Sequence, residues 1–313
     1  MTDSVMQRCL AVGPADRVLV VADTHTRELG TLFFSGALRF TREANLIVMP
    51  PTARDGAEPP SEVAAAMCAA TVCLLPVSKS LTHTHARKAA SSAGARVASM
   101  PSITYEMAMR TMAVDYHEIA RVSRLLADRI TQGRTVRLTA PAGTDLTFSV
   151  AGRTAHADTG VLTERGRIGN LPAGEAFVAP LEGTAEGTLV IDAASLIHGA
   201  PVDPPMLIAV RGGVAREVTG AGAPELERIF REVGDGARNI AELGIGTNPA
   251  ARVTGNVLES EKVVGTAHVA LGNNFFMGGT VDVPFHSDGV IARPTIAVDG
   301  RPLMIDGRFA DPA

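Results

Sequence analysis

The chain has 313 residues, 46% of them apolar and 20% charged, a composition of globular proteins that excludes disordered and collagen-like classes. Lys and Arg total 29 against 33 Asp and Glu, a net charge of −4 without any basic cluster. Nucleic acid is therefore excluded as an expected partner, because phosphate binding needs a dense positive patch.

The N-terminal segment lacks the apolar core of a signal peptide and no apolar run is long enough to span a bilayer, so the expected compartment is the cytoplasm, with no membrane partner. The length predicts two domains, placed here at residues 1–130 and 131–313. With no Trp, two Tyr and ten Phe, the core must be built from Val, Leu, Ile, Ala and Met. Cys9, Cys68 and Cys73 show no zinc-ribbon or redox spacing, and Cys68 and Cys73, in apolar stretches, are expected as buried, reduced thiols.

In the first 130 residues, short β-branched runs at Arg17–Val21, Asn45–Met49, Thr71–Val77 and Arg96–Met100 alternate with helical segments at Glu28–Phe40, Ser61–Ala70, Thr84–Ala90 and Ile103–Met112. Continuous apolar strands alternating with helices predict an α/β, doubly wound, parallel-sheet domain of Rossmann-like topology. The first strand leads into VVADTHTRELG, which carries no glycine-rich phosphate loop, so no nucleotide is assigned to it. Asp115–Ile130 has helical spacing and is expected to link the two halves. After Gly133 the short strands TVRLTA, TDLTFSV, GTLVID, MLIAV and ARPTIAVDG predict an α+β domain with antiparallel or mixed sheet. Its helices are expected at Pro224–Glu232 and Glu261–Leu271, the second placing His268 on a helix.

The residues with chemical potential lie in this second half. His286 and Asp288, in PFHSDGVI, are two apart, and in a strand they share a face. His268 lies in GTAHVALGNN, Glu242 in AELGIGTNP and Glu175 in LPAGEAFVAP. Singly, each has an ordinary reading: a hydrogen-bonded core histidine, an edge carboxylate or a structural pair. An ionised carboxylate in apolar surroundings is costly unless something positive meets it, and few Lys or Arg lie beside these positions. If the five converge, they suit two divalent ions with one carboxylate bridging, an arrangement that activates a shared water while a nearby carboxylate takes its proton.

The other titratable groups carry less. Thr82-His83-Thr84-His85 has the form of a helix start, with Thr82 or Thr84 as N-cap, and its histidines do not share a helix face. His25, near the C-terminal end of the first strand, can line a crevice, but a loop histidine is ordinarily just solvated. His117, His156 and His198 have no partner pattern. Glu261 and Lys262 are expected to begin a helix, from which Lys262 can reach a substrate carboxylate.

The ordered set GEAFVAP, AEGTLVID, AELGIGTNP, AHVALG and H-x-D resembles the M29 (aminopeptidase T-like) metallo-aminopeptidases, mainly over residues 165–300. The resemblance implies that Glu175, Glu242, His268, His286 and Asp288 bind zinc, cobalt or manganese, with Glu175 or Glu242 bridging or acting as the base. It also implies a homodimer acting on a short peptide or other small molecule. Phe275 stands where that group places a tyrosine, which sets full peptidase activity apart from the metal site. The same superfamily includes dioxygenases that open dihydroxypyridine rings, whose Fe(II) site needs only two His and one carboxylate; His268, His286 and Asp288 can supply these. Retention of both Glu175 and Glu242 places the metal-dependent hydrolase first, the dioxygenase second and a non-catalytic binding protein third.

Overall fold

The structure, a computed structural model, describes residues 1–197 and 201–310. His198 lies outside the described residues. The chain divides into two compact units, one of residues Met1–Glu118 with Gly160–Ala173, the other of Ile119–Thr159 with Gly174–Ala313. The first unit thus takes in a segment from beyond residue 130. Among the described residues no helix is long and apolar enough to cross a membrane.

The first unit is the doubly wound α/β body. Its sheet runs Glu43–Met49, Arg17–Asp23, Val72–Val77, Arg96–Pro101, Ile168–Asn170, and every pairing is parallel. Alternation along the first strand divides the two faces. Leu19 and Val21 pack with Val63 and Met67 of helix Ser61–Ala69 and with Ala86 and Ala90 of helix His85–Ser92. Val20 and Ala22 lie on the opposite face under Gly30 of helix Arg27–Ala37, where a Cβ would collide with Ala22. Thr84 caps its helix by accepting a 3.2 Å hydrogen bond from the Arg87 amide. Of the two cysteines expected inside, Cys73 is buried, its thiol pushed up to about 12 by burial, whereas Cys68 is exposed on the outer side of helix Ser61–Ala69. A nine-residue helix rich in Ala is apolar all round, and composition does not say which side faces out.

The second unit is α+β, with two antiparallel sheets. The larger has eight strands, in the order Val214–Thr219, Met206–Arg211, Glu186–Ile191, Asp145–Ser149, Thr135–Thr139, Thr295–Val298, Arg301–Ile305, Arg308–Phe309. The smaller has five, in the order His286–Ala292, Thr266–Gly272, Ile240–Gly246, Glu175–Val178, His156–Asp158. One core joins them: Leu243, Ile245, Ala267, Val269, Leu271 and Ile291 from the smaller sheet cluster with Leu138, Phe148, Leu189, Ile208 and Ile296 from the larger. Each strand of the smaller sheet therefore turns alternate residues to this core and the intervening ones to its other face.

The expected helix over Glu261–Leu271 is not formed. A short helix, Val257–Ser260, ends before it, and Thr266–Gly272 is a strand buried along its whole length. Gly265, at φ +88°, turns the chain into that strand. A strand covered on both sides reads as a continuous run of small apolar residues, which periodicity cannot tell from a buried helix.

Candidate metal centre

The register of the smaller sheet assembles the site, all of it within the second unit. Glu242, Gly244 and Gly246 face away from the core along one strand; His268, Ala270 and Gly272 do so along the next; His286 and Asp288 open the third. Across the ladders His268 pairs with Gly244, Glu175 with Gly246 and His286 with Gly272, while Ala270 stands between Glu242 and Asp288. Each of these polar side chains thus has, across at least one ladder, a neighbour with little or no side chain; a Cβ at Gly246 or Gly272 would meet the backbone of Val263 or Phe285. Gly244 is the tightest case, since a Cβ there would overlap the His268 imidazole.

All five residues singled out from the sequence come together. His268 Nε2 lies 3.3 Å from Glu175 Oε2, 3.5 Å from Glu242 Oε1 and 4.0 Å from Asp288 Oδ1. His286 Nε2 lies 3.2 Å from Glu242 Oε2 and 3.6 Å from Asp288 Oδ1. Two overlapping groups have the spacing of metal ligands: Glu175, Glu242 and His268, and Glu242, His286 and Asp288. The other ring nitrogen of His286, Nδ1, is 2.7 Å from the Asn273 carbonyl. The carbonyl can only accept, so Nδ1 carries a proton and Nε2 is the nitrogen turned to the carboxylates, the one that can ligate a metal once its own proton is lost.

Sequence reasoning missed the charged partner on the far side of Glu175. Lys262 is fully buried, with its ammonium 2.6 Å from Glu175 Oε1, 2.7 Å from Glu261 Oε1 and 3.5 Å from Asp158 Oδ2. Asp158 reaches the site because its strand pairs with the Glu175 strand, Asp158 opposite Glu175. Burial pulls the Lys262 ammonium down, but Glu175, Glu261 and Asp158 outweigh it and hold its pKa well above the usual value. The only signal in the sequence was a lysine in an otherwise apolar run (KVVG), and the helix expected there hid its direction.

The chemistry of the set fits a divalent cation. Burial pushes Glu175 up to about 8 even with Lys262 beside it. Burial also disfavours ionised Glu242, yet the His268 and His286 imidazoles overcome this and keep its pKa well below the ordinary range. In return, the surrounding carboxylates raise His268 to about 9 and His286 well above 6.5, each against its own burial. The imidazoles are thus protonated because the cluster demands positive charge. Glu175 Oε2 and both nitrogens of His268 are buried with no hydrogen-bond partner among the described residues. Buried polar atoms are seldom left so, and a metal ion is one explanation.

A consequence for pH follows. A proton on His268 or His286 competes with a metal for the same lone pair. Metal binding at pH 7 is therefore expected to release protons, and apparent affinity should rise as pH rises from 7 toward about 9, the range in which His268 begins to lose its proton unaided. Calorimetric titration in two buffers of different ionisation enthalpy measures the release; metal uptake with no proton release at pH 7 would contradict it.

Comparison with known proteins places the molecule among enzymes. A family model described as NicX, 2,5-dihydroxypyridine 5,6-dioxygenase, matches residues 1–311. The fold is similar to the structure of 2,5-dihydroxypyridine dioxygenase from Pseudomonas putida KT2440, with a TM-score of 0.83 and 18% identity over 99% of this chain and 97% of that one. It is also similar to wild-type AmpT from Thermus thermophilus, with a TM-score of 0.70 and 18% identity over 98% of each chain. None of the curated protein sequences compared with the chain matches it. The superfamily suggested by the sequence is the right one, but the preference within it is reversed: the family is that of the ring-cleaving relatives, placed second above, rather than the peptidases.

Proposed function

We propose a function on the premise that this chain belongs to the NicX family, 2,5-dihydroxypyridine 5,6-dioxygenase: the oxidative opening of a hydroxylated nitrogen heteroaromatic ring by dioxygen at a single Fe(II) site. His268, His286 and Asp288 are the residues that would hold the iron, two imidazoles and a carboxylate with coordination positions to spare. When bound, iron supplies the redox chemistry that lets dioxygen react with an electron-rich ring. Both oxygen atoms enter the product and one ring bond breaks, so the overall reaction needs no added reductant.

The observation that carries the reading is Lys262. A binuclear hydrolase site needs Glu175 and Glu242 to serve a second cation. Here the Lys262 ammonium, 2.6 Å from Glu175 Oε1, already supplies positive charge at Glu175. One divalent ion then meets Glu242 and Asp288, the carboxylates beside His286. Retention of Glu175 does not by itself favour the hydrolase.

The protein side chains have separate tasks in this reading. His286 is oriented by the Asn273 carbonyl. Glu175, fixed through Oε1 by Lys262, turns Oε2 toward His268, where it can exchange a proton with a substrate hydroxyl. Glu242, held ionised beside both imidazoles, keeps negative charge next to the ligands.

The test is turnover. Protein loaded anaerobically with Fe(II) should consume 2,5-dihydroxypyridine only when dioxygen is admitted, and protein loaded with zinc, cobalt or manganese should leave amino-acid amides intact. Hydrolysis of amides without dioxygen, together with an inert heterocycle, would return the assignment to the hydrolase.

A further inference from the structure

Two aromatic side chains stand in the open next to the most accessible residue of the site. Of the ten phenylalanines, Phe275 and Phe276 are exposed, at 62% and 58%, and the other eight are buried or half-buried. Each exposed ring keeps in water apolar area that folding removes elsewhere, and adjacent exposed apolar groups mark places where a ligand or partner binds.

The turn that carries them is built to hold its shape. Phe275–Met277 form one 3-10 turn, ended by Gly278 at φ +85°. Asn274 just before it is fully buried; its Oδ1 accepts from the Val281 amide at 3.0 Å and its Nδ2 donates to Glu182 Oε1 at 2.9 Å. Glu182 also accepts from the Thr280 amide at 2.8 Å and pairs with Arg153, which in turn donates to the Gly278 carbonyl. Gly279 lies so close to Asn274 that a Cβ would overlap its amide. The backbone on both sides of the two rings is thus fixed by a polar network, without help from the rings' own burial.

Phe276 is the one that reaches the site. Its ring centroid is 5.3 Å from that of His286, the planes at 65°, an edge-on contact. His286 is also the open side of the cluster: its side chain is 23% exposed, against 10% or less for Glu175, Glu242, His268 and Asp288. A ligand approaching the metal ligands from solvent meets His286 and Phe276 together.

We propose that Phe276 is a specificity-determining residue, its ring forming the apolar wall against which a flat aromatic substrate packs while the substrate's polar edge faces His286, Glu242 and Asp288. The identity of the substrate rests on the ring-cleaving reading above; the wall rests on geometry. Ring-on-ring packing of this kind discriminates aromatic ligands from non-aromatic ones that present the same oxygen donors.

Anaerobic calorimetry on the Fe(II)-loaded protein tests this with three ligands: 2,5-dihydroxypyridine, catechol and oxalate. Phe276→Ala should weaken both aromatic ligands about fivefold to tenfold, the range expected for one lost aromatic contact, and leave oxalate within about twofold. Phe276→Leu should recover part of the loss, with iron content and sedimentation unchanged in both variants. Unchanged aromatic binding would overturn the proposal. So would a parallel loss of oxalate, which would mean a disturbed site, or a changed oligomeric state, which would mean that the rings cover a second copy of the chain. The two readings fail separately. If catechol binding depends on Phe276 but dihydroxypyridine is not turned over, the ring-cleaving reaction falls and the wall stands. If dihydroxypyridine is turned over and Phe276→Ala binds it normally, only the wall falls.

Discussion

Replacing Lys262 by methionine is expected to lower the apparent melting temperature by about 6–20 °C, the shift that corresponds to a loss of about 3–5 kcal/mol in a unit of this size. The large effect comes from what is left behind. Lys262 is fully buried and its ammonium contacts Glu175 and Glu261 at 2.6 and 2.7 Å, with Asp158 at 3.5 Å. Methionine fills similar volume but leaves these carboxylates without a counter-charge in surroundings that already push Glu175 and Glu261 upward by burial. Adding Glu175→Gln to Lys262→Met should recover a substantial part of the loss, because removing both members of a buried pair costs far less than removing one. A single variant as stable as the parent would show that Lys262 does not serve as the counter-charge.

Gly244→Ala is expected to weaken metal binding about 100-fold while the protein still folds. The added methyl overlaps the His268 imidazole across the ladder, and the ring can escape only by rotating away from Glu175, Glu242 and Asp288. Overpacking of this sort costs about 1–3 kcal/mol of stability, and a misoriented ligand costs about 10–100-fold in metal affinity, with the upper end expected where the ligand itself is displaced. Equilibrium dialysis beside a thermal melt separates the two effects. Wild-type metal affinity in the alanine variant would mean that His268 Nε2 is not a ligand.

The parts of this molecule that could be read in its sequence are those set by local patterning. Runs such as RVLVV and TVCLLPV, separated by helical segments, yield the parallel sheet of the first unit because a doubly covered strand needs apolar residues throughout. His286 and Asp288 share a face because two-residue spacing in a strand allows nothing else. The gathering of Glu175, Glu242 and His268 rested on a resemblance, since long-range register leaves no mark at one position. In retrospect the mark is in the partners: GIG opposite Glu175 and His268, and ALG beside Glu242, Asp288 and His286, are small because the space above them is occupied.

What escaped the sequence has physical causes too. TAHVALG has no polar alternation because both of its faces are buried, so it passed for a helix, and with it went the direction of Lys262. The strand His156–Asp158 is three residues long, too short for a pattern, yet it brings Asp158 beside Glu175. The preference for hydrolysis rested on the retention of both Glu175 and Glu242. It could not weigh the Lys262 ammonium, 87 residues from Glu175 in the chain, which the fold brings to Glu175 Oε1.

Metal stoichiometry tests the central claim most directly. Metal-free protein is saturated with Fe(II) without oxygen, or with Zn(II), and the bound ion is counted per chain after dialysis. With Lys262 standing at Glu175, one ion per chain is the predicted result, and His286→Ala should reduce it to none. Two tightly held ions per chain would contradict it and would mean that Glu175 Oε2, Glu242 and His268 hold a cation of their own beside the Lys262 ammonium.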